Sequence, residues 1–192
     1  MIAAVAGLKH FVCGFDPALQ PRAAKPPPEA FEPGKAGDKA RETFGRAYTE
    51  MMRREWFSIG IHLGYRYECS PLIVPDGSPE PPDTVTSYDQ TARPGHRAPH
   101  AWLDDGRSTL DLFTRGFALL CLGDDPPVAR AFIDAAKNVR LPLETIAIPT
   151  PEIASLYEAR LALVRPDGMV CWRAYAPPSD LGGVINAVRG AA

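Results

Sequence analysis

The chain has 192 residues, with Lys+Arg 21 against Asp+Glu 23, a formal net charge of -2, 45% hydrophobic and 23% charged residues. That balance excludes global disorder and collagen-like structure, and it gives nucleic acid or an anionic membrane no electrostatic footprint. The length suits one generous domain or a compact domain with extensions, and the outlier is proline, with 21 residues, about twice the usual share.

Val5, Leu8, Val12 and Phe15 fall at helical spacing and predict a short amphipathic helix near the N-terminus. The segment Met1–His10 lacks a basic stretch before its short apolar run, which argues against a signal peptide. No stretch approaches the roughly 20 apolar residues that span a bilayer, so a cytoplasmic protein without a membrane partner is expected. Pro17, Pro21, Pro26, Pro27, Pro28, Pro33, Gly34 and Gly37 then make residues 16–37 an extended linker, which closes a first region, 1–37.

Asp38 is a plausible N-cap for a long amphipathic helix running to about Ile59. Its apolar stripe is Ala40, Phe44, Ala47, Tyr48, Met51 and Met52, with Arg41, Glu42, Arg46, Glu50 and Arg53 largely opposite. Tyr65–Glu68 reads as a short extended segment that completes region 38–70. Residues 71–99 hold Pro71, Pro75, Pro79, Pro81, Pro82, Pro94 and Pro99, so no regular element of normal length fits there. This connector wraps over another surface or joins two units.

From residue 100 the pattern changes. Gly116–Gly123 encloses an apolar run and predicts a buried strand, and Asp125 caps a helix carrying Val128, Ala131, Phe132, Ala135 and Val139 on one face. Leu143–Ile148 predicts a second buried strand, and Pro151 opens a short helix to about Tyr157. Residues 159–164 and 169–174 predict strands joined by the turn Arg165-Pro166-Asp167-Gly168, and Asp180 caps a last helix. The order β-α-β-α-β-β-α is that of a thioredoxin-like sheet, so residues 100–192 are expected to form an α/β, thioredoxin-like C-terminal domain preceded by a helical, proline-rich N-terminal segment.

The chemistry-bearing residues are sparse. Cys13, Cys69, Cys121 and Cys171 form no CxxC and no zinc spacing, and Cys121 and Cys171 sit in apolar runs as small hydrophobes. A redox thioredoxin needs a low-pKa thiol at the start of the helix after the first strand, and Gly123-Asp124-Asp125-Pro126-Pro127 stands there instead. His96 and His100 are separated by Pro99 and lack a third ligand, so no metal is expected. No G-x-G-x-x-G, P-loop or G-x-S-x-G occurs. Arg93, Arg97 and His100 cluster beside Trp102, either as a polar loop pinned by the tryptophan or as a contact for an anionic group or a partner domain. A buried Trp102 ring would cost about 3–5 kcal/mol on truncation to Ala, whereas a loss below about 1 kcal/mol would mark an exposed ring awaiting a partner.

The string Pro94-Gly95-His96-Arg97-Ala98-Pro99-His100-Ala101-Trp102-Leu103, with residues 63–71 upstream and residues 108–113 and 164–173 downstream, resembles the C-terminal part of FAD-dependent aromatic-ring hydroxylases of the phenol- and chlorophenol-hydroxylase kind. The resemblance covers roughly residues 38–190. It implies a redox-dead thioredoxin-like domain serving packing and dimerisation, with residues 38–70 as the end of a flavin domain. It also implies Arg97, His100, Trp102, Asp111 and Arg173, which stand in those strings, as motif or interface residues. The flavin motifs of the family are missing here, so no catalytic, flavin-binding or metal residue is carried over and no cofactor is expected on this chain alone. FAD and NAD(P)H are implied for the full-length family. The expected function is the C-terminal portion or subunit of a flavin-dependent aromatic monooxygenase, meeting a flavin-binding domain in trans. The alternative is a stand-alone, non-catalytic dimerisation module or gene remnant.

Overall fold

The computed structural model describes residues 25–191 apart from residues 114, 124 and 125, and apart from the side chains of residues 51, 54, 55 and 126–129. The expected helix around Val5–Phe15 and the cap at Asp125 lie outside the described residues.

The first feature is a 3-10 turn, Pro28–Phe31, followed by helix α1, Lys35–Trp56. The helix starts three residues before the Asp38 cap read from the sequence. Gly34 precedes it at φ 90, and Gly37, read as a linker glycine, lies inside it. Gly37 is there because the helix crosses the preceding loop closely: a Cβ would sit 1.9 Å from the Glu32 carbonyl oxygen. Arg41 seals the crossing, donating from Nη1 to the carbonyls of Ala30 at 2.7 Å and Glu32 at 3.1 Å. The helix stops at Trp56 rather than near Ile59, and a separate short helix α2, Ile59–Gly64, follows. Gly60 brings α2 onto residues 84–87, its N–H donating to the Val85 carbonyl at 3.0 Å. Tyr65–Glu68 forms no strand, although Tyr67 N–H donates to the Gly95 carbonyl at 2.8 Å.

The core is a mixed four-stranded sheet in the order β2-β1-β3-β4, with β1 Phe117–Leu122, β2 Leu143–Ile148, β3 Leu161–Val164 and β4 Val170–Ala174. β1 and β2 are parallel, and the β1–β3 and β3–β4 pairs are antiparallel. Helices α3 Pro126–Asn138, α4 Pro151–Tyr157 and α5 Leu181–Val188 complete the order β-α-β-α-β-β-α. Successive residues of β1 point to opposite faces, and both faces are covered, which is why its sequence is an unbroken apolar run. Leu119 and Cys121 join Phe132 of α3, Trp172 of β4 and Val184, Ile185 and Val188 of α5. Ala118, Leu120 and Leu122 join Ile153 and Tyr157 of α4, Phe113 and Ala98.

Two sequence expectations shift. β2 is an edge strand with Glu144 and Ala147 exposed, not a fully buried one. On α3 the inward positions are Phe132 and Ala136, while Ala131 faces out. The turn after β3 closes as read, Arg165 N–H donating to the Met169 carbonyl at 2.9 Å with Gly168 at φ 78. Asp180 caps α5 through the Gly183 N–H at 2.8 Å.

The proline-rich stretch 71–99 lies along the outer edge of β4. Val74 N–H donates to the Cys171 carbonyl, Gly95 N–H to that of Val170, Val170 N–H to that of His96, and Ala98 N–H to that of Gly168, all between 2.7 and 2.9 Å. Proline has no N–H and cannot ladder on both sides, so a strap with prolines between its bonding residues ends the sheet instead of extending it.

Candidate functional site

The motif at residues 94–103 splits into a buried half and an exposed half. In the buried half, Glu68 accepts from Arg93 and from Arg66 Nε at 3.2 Å, while Arg66 Nη2 reaches Glu80 at 2.7 Å and Asp83 at 2.9 Å. Burial and neighbouring Glu80 push the Glu68 carboxyl up against the pull of Arg66 and Arg93. His96 lies among them, its Nε2 3.4 Å from Glu68. Burial, with the charges of Arg66, Arg93 and Arg173, holds its pKa down to about 4, so the ring is neutral near pH 7. Each charge here is spent on another residue of the strap. The cluster fastens residues 66–96 together.

In the exposed half, a tight hairpin carries three of the sequence candidates, His100, Trp102 and Asp111. Gln90 brackets the His100 backbone, and the His100 ring meets Ser108 Oγ through Nδ1 at 2.7 Å. Ser108 Oγ also accepts from Leu110 N–H at 3.0 Å, and Asp111 Oδ2 accepts from Ser108 N–H at 2.8 Å. That is a capping box around the 3-10 turn Thr109–Leu112. A hydroxyl beside an imidazole invites comparison with a nucleophile and its base, but such a pair needs a third group orienting the base. Asp111 serves the backbone instead, so the arrangement caps the turn. Trp102 stands edge-on to His100 at 4.9 Å and is 70% exposed. It is the exposed ring of the two cases set out from the sequence.

The remaining two candidates sit elsewhere. Arg97 borders a cleft of about 160 Å³ with Leu110, Phe113, Pro166, Asp167 and Gly168; ligand pockets usually start near 300 Å³. Arg173 is buried and donates to Asp76 at 2.6 Å, the Tyr157 carbonyl at 2.9 Å and Glu158 at 3.2 Å. Burial raises the Asp76 carboxyl pKa, but hydrogen bonds from Ser78 and Arg173 outweigh it and hold the carboxyl below its ordinary range. Asp76 escaped sequence reasoning because its partner is 97 residues away.

Cys171 is fully buried, its thiol donates to the Leu163 carbonyl at 3.2 Å, and burial pushes its pKa far up. Among the described residues no group of three or more His, Cys, Asp or Glu could hold a metal ion. No helix among them is long and apolar enough to cross a membrane. A flavin diphosphate needs backbone N–H groups at a strand-to-helix turn. Here the turn after β1 enters α3 through Pro126 and Pro127, which lack N–H groups, and the sequence adds two carboxylates, Asp124 and Asp125. The opening of α3 therefore lacks the first N–H groups that a diphosphate would use.

Residues 91–192 match the family described as aromatic-ring hydroxylase, C-terminal. The chain belongs to that family. It is 37% identical to 2,4-dichlorophenol 6-monooxygenase of Delftia acidovorans over 146 residues, 67% of this chain and 25% of that protein. Among solved structures, K252c-soaked RebC superposes with a TM-score of 0.81 at 36% identity, covering 99% of this chain and 34% of that one. The flavin-dependent monooxygenase PieE, in complex with FAD and substrate, gives a TM-score of 0.71 at 32% identity, covering 84% of this chain and 31% of that one. The aromatic-ring hydroxylase tail seen here therefore spans about a quarter to a third of the relatives it matches.

Proposed function

We propose that the chain serves as the C-terminal assembly portion or subunit of an NAD(P)H- and O₂-dependent, FAD-containing aromatic-ring monooxygenase. In this reading residues 100–192 are a thioredoxin-like unit without redox thiols, residues 71–99 connect it, and residues 38–70 complete a flavin-bearing part held elsewhere. FAD supplies the oxygen chemistry when bound to that part, and this chain supplies packing surface. The supporting observation is the pairing of a strong match to flavin monooxygenases with a helix after β1 that opens on Pro126 and Pro127, which offer a diphosphate no N–H. The sheet order, with β1 parallel to β2 and β3 and β4 antiparallel, supports the thioredoxin-like part.

FAD titrated into the purified chain, followed by flavin fluorescence, is expected to show no saturable binding. Co-expression with the part of 2,4-dichlorophenol 6-monooxygenase that precedes its matched quarter is expected to give a co-purifying, flavin-coloured complex. Stoichiometric FAD on the chain alone would overturn the assignment, as would a flavin-bearing part that never associates with it.

A further inference from the structure

Helix α1 is 22 residues long and carries an i,i+4 row of Phe44, Tyr48, Met52 and Trp56. The Phe44 and Tyr48 rings stack at 5.9 Å. On the opposite face Arg46 pairs with Glu42 at 2.7 Å and Arg53 with Glu50 at 3.6 Å, and Arg53 also lies over the Phe57 ring, 5.7 Å from its centroid. The 3-10 turn Pro28–Phe31 packs on the first turns of α1 through Arg41. Beyond it the stripe is open, with Tyr48 43%, Trp56 76%, Phe57 60% and Ile59 48% exposed. Amphipathic helices draw most of their stability from burying such a stripe, and contiguous exposed apolar patches mark interaction sites.

We infer that this stripe, with Phe57 and Ile59 at its end, is the seat of the flavin-bearing part of a monooxygenase of this family. The inference rests on the function proposed above and names its surface. The occupant follows from the lengths. The match to RebC covers 99% of this chain, so α1 has its counterpart there, within a protein of which about two thirds has no counterpart here. The apolar stripe of α1 beyond Arg41 is open among the described residues, and the two thirds of RebC without a counterpart here is the mass available to cover it. Trp56 and Tyr48 are large, stiff anchors of the kind that dominate interface energetics.

The test uses the full chain co-expressed with the flavin-bearing part of 2,4-dichlorophenol 6-monooxygenase, comparing wild type with Tyr48→Glu/Trp56→Glu. Tyr48→Ala/Trp56→Ala, which keeps helix propensity, is the second variant should the first unwind α1 by circular dichroism. Arg46→Glu is the control on the opposite face. Loss of two anchors is expected to weaken association at least about thirty-fold, with Arg46→Glu binding as wild type. Association that survives both double variants overturns this surface and leaves the proposed function standing. Absence of association in wild type overturns both. Sedimentation of the chain alone gives the last arm: a dimer that the stripe variants dissolve makes a second copy the occupant and overturns the inference, and a monomer supports it.

Discussion

Replacing Arg173 with Ala is expected to destabilise the chain by about 3 kcal/mol, the lower end of the range for breaking a buried ion pair. The side chain is 6% exposed and that of Asp76 17%. Truncation leaves Asp76 without its cation and the buried Tyr157 carbonyl without a donor. Asp76 keeps its bond from Ser78 N–H at 2.9 Å, which holds the cost at the lower end. The contact to Glu158 adds little, because that carboxylate is 67% exposed. Urea unfolding at pH 7 should move the midpoint down by about 1.5 M for a slope of about 2 kcal/mol/M. The pH dependence provides a second reading. The folded-state pKa of Asp76 is lowered, so its contribution is complete above the unfolded value near pH 4 and is lost as pH falls through the folded value. Arg173→Ala should flatten that acid limb, and Asp76→Asn should flatten it too at a smaller cost. A midpoint shift under about 0.5 M, or an unchanged acid limb, would refute the view that this pair ties residues 71–99 to β4.

Trp102→Ala should change stability by less than about 0.5 kcal/mol, whereas Trp172→Ala, 5% exposed and 5.3 Å from Phe132, should lose about 3–5 kcal/mol; equal losses in thermal melts would contradict the burial assigned to them. His96 is held neutral with a pKa of about 4 against 6.5 unfolded, facing Arg66, Arg93, Arg173, Glu68 and Glu80. The unfolded chain binds the extra proton between those values, so stability should fall as pH drops from 6.5 towards 4, and His96→Gln should remove that slope in urea melts. The N–H groups of Val74, Gly95 and Ala98 lie outside any strand, yet they should exchange with deuterium as slowly as those of β3; exchange at loop rates would show that the strap does not seal β4.

The half of the chain from residue 117 was legible in the sequence because its signals are local. β1 is an apolar run between glycines, the turn at 165–168 uses Pro-Asp-Gly, and Asp180 caps α5 as read. Whether a strand lies inside or at the edge of a sheet is not local, so the apolar run of β2 predicts a buried strand although Glu144 and Ala147 face out. The sequence predicts too late a start for α1 because Gly34 and Gly37 look like breakers. Only the close approach of Glu32 shows why a glycine sits inside the helix. The strap's fastening was hidden for the same reason, since Arg66, Glu80 and Asp83 acquire meaning only when the chain folds back on Glu68. Of the five candidate residues, Asp111 and His100 prove to support the hairpin that displays Trp102, Arg97 borders a small cleft and Arg173 holds the strap.

The proline excess and the exposed helix stripe bear on one question, how a partner can attach. A sheet edge offers unpaired N–H and C=O groups and invites strand addition. At β4 that route is closed, because the strap takes up the backbone of Val170 and Cys171, and its prolines remove N–H groups that a further strand could use. At β2 the strand is six residues long, stands between Pro142 and Pro149 and shows Glu144 to solvent, which are devices that discourage edge pairing. Both edges are thus unsuited to recruiting a partner. Among the described residues, exposed large apolar side chains gather on α1 and just after it, with Trp102 on its braced hairpin and Phe31, Tyr65 and Tyr175 standing apart. The α1 stripe and the Trp102 ring are side-chain surfaces on structure whose backbone bonds are already satisfied, so docking there costs little ordering on this chain's side. Backbone pairing would accept any extended segment, whereas a stripe of Tyr48, Met52 and Trp56 demands a partner of matching shape. That selectivity suits the proposed docking on one flavin-bearing part.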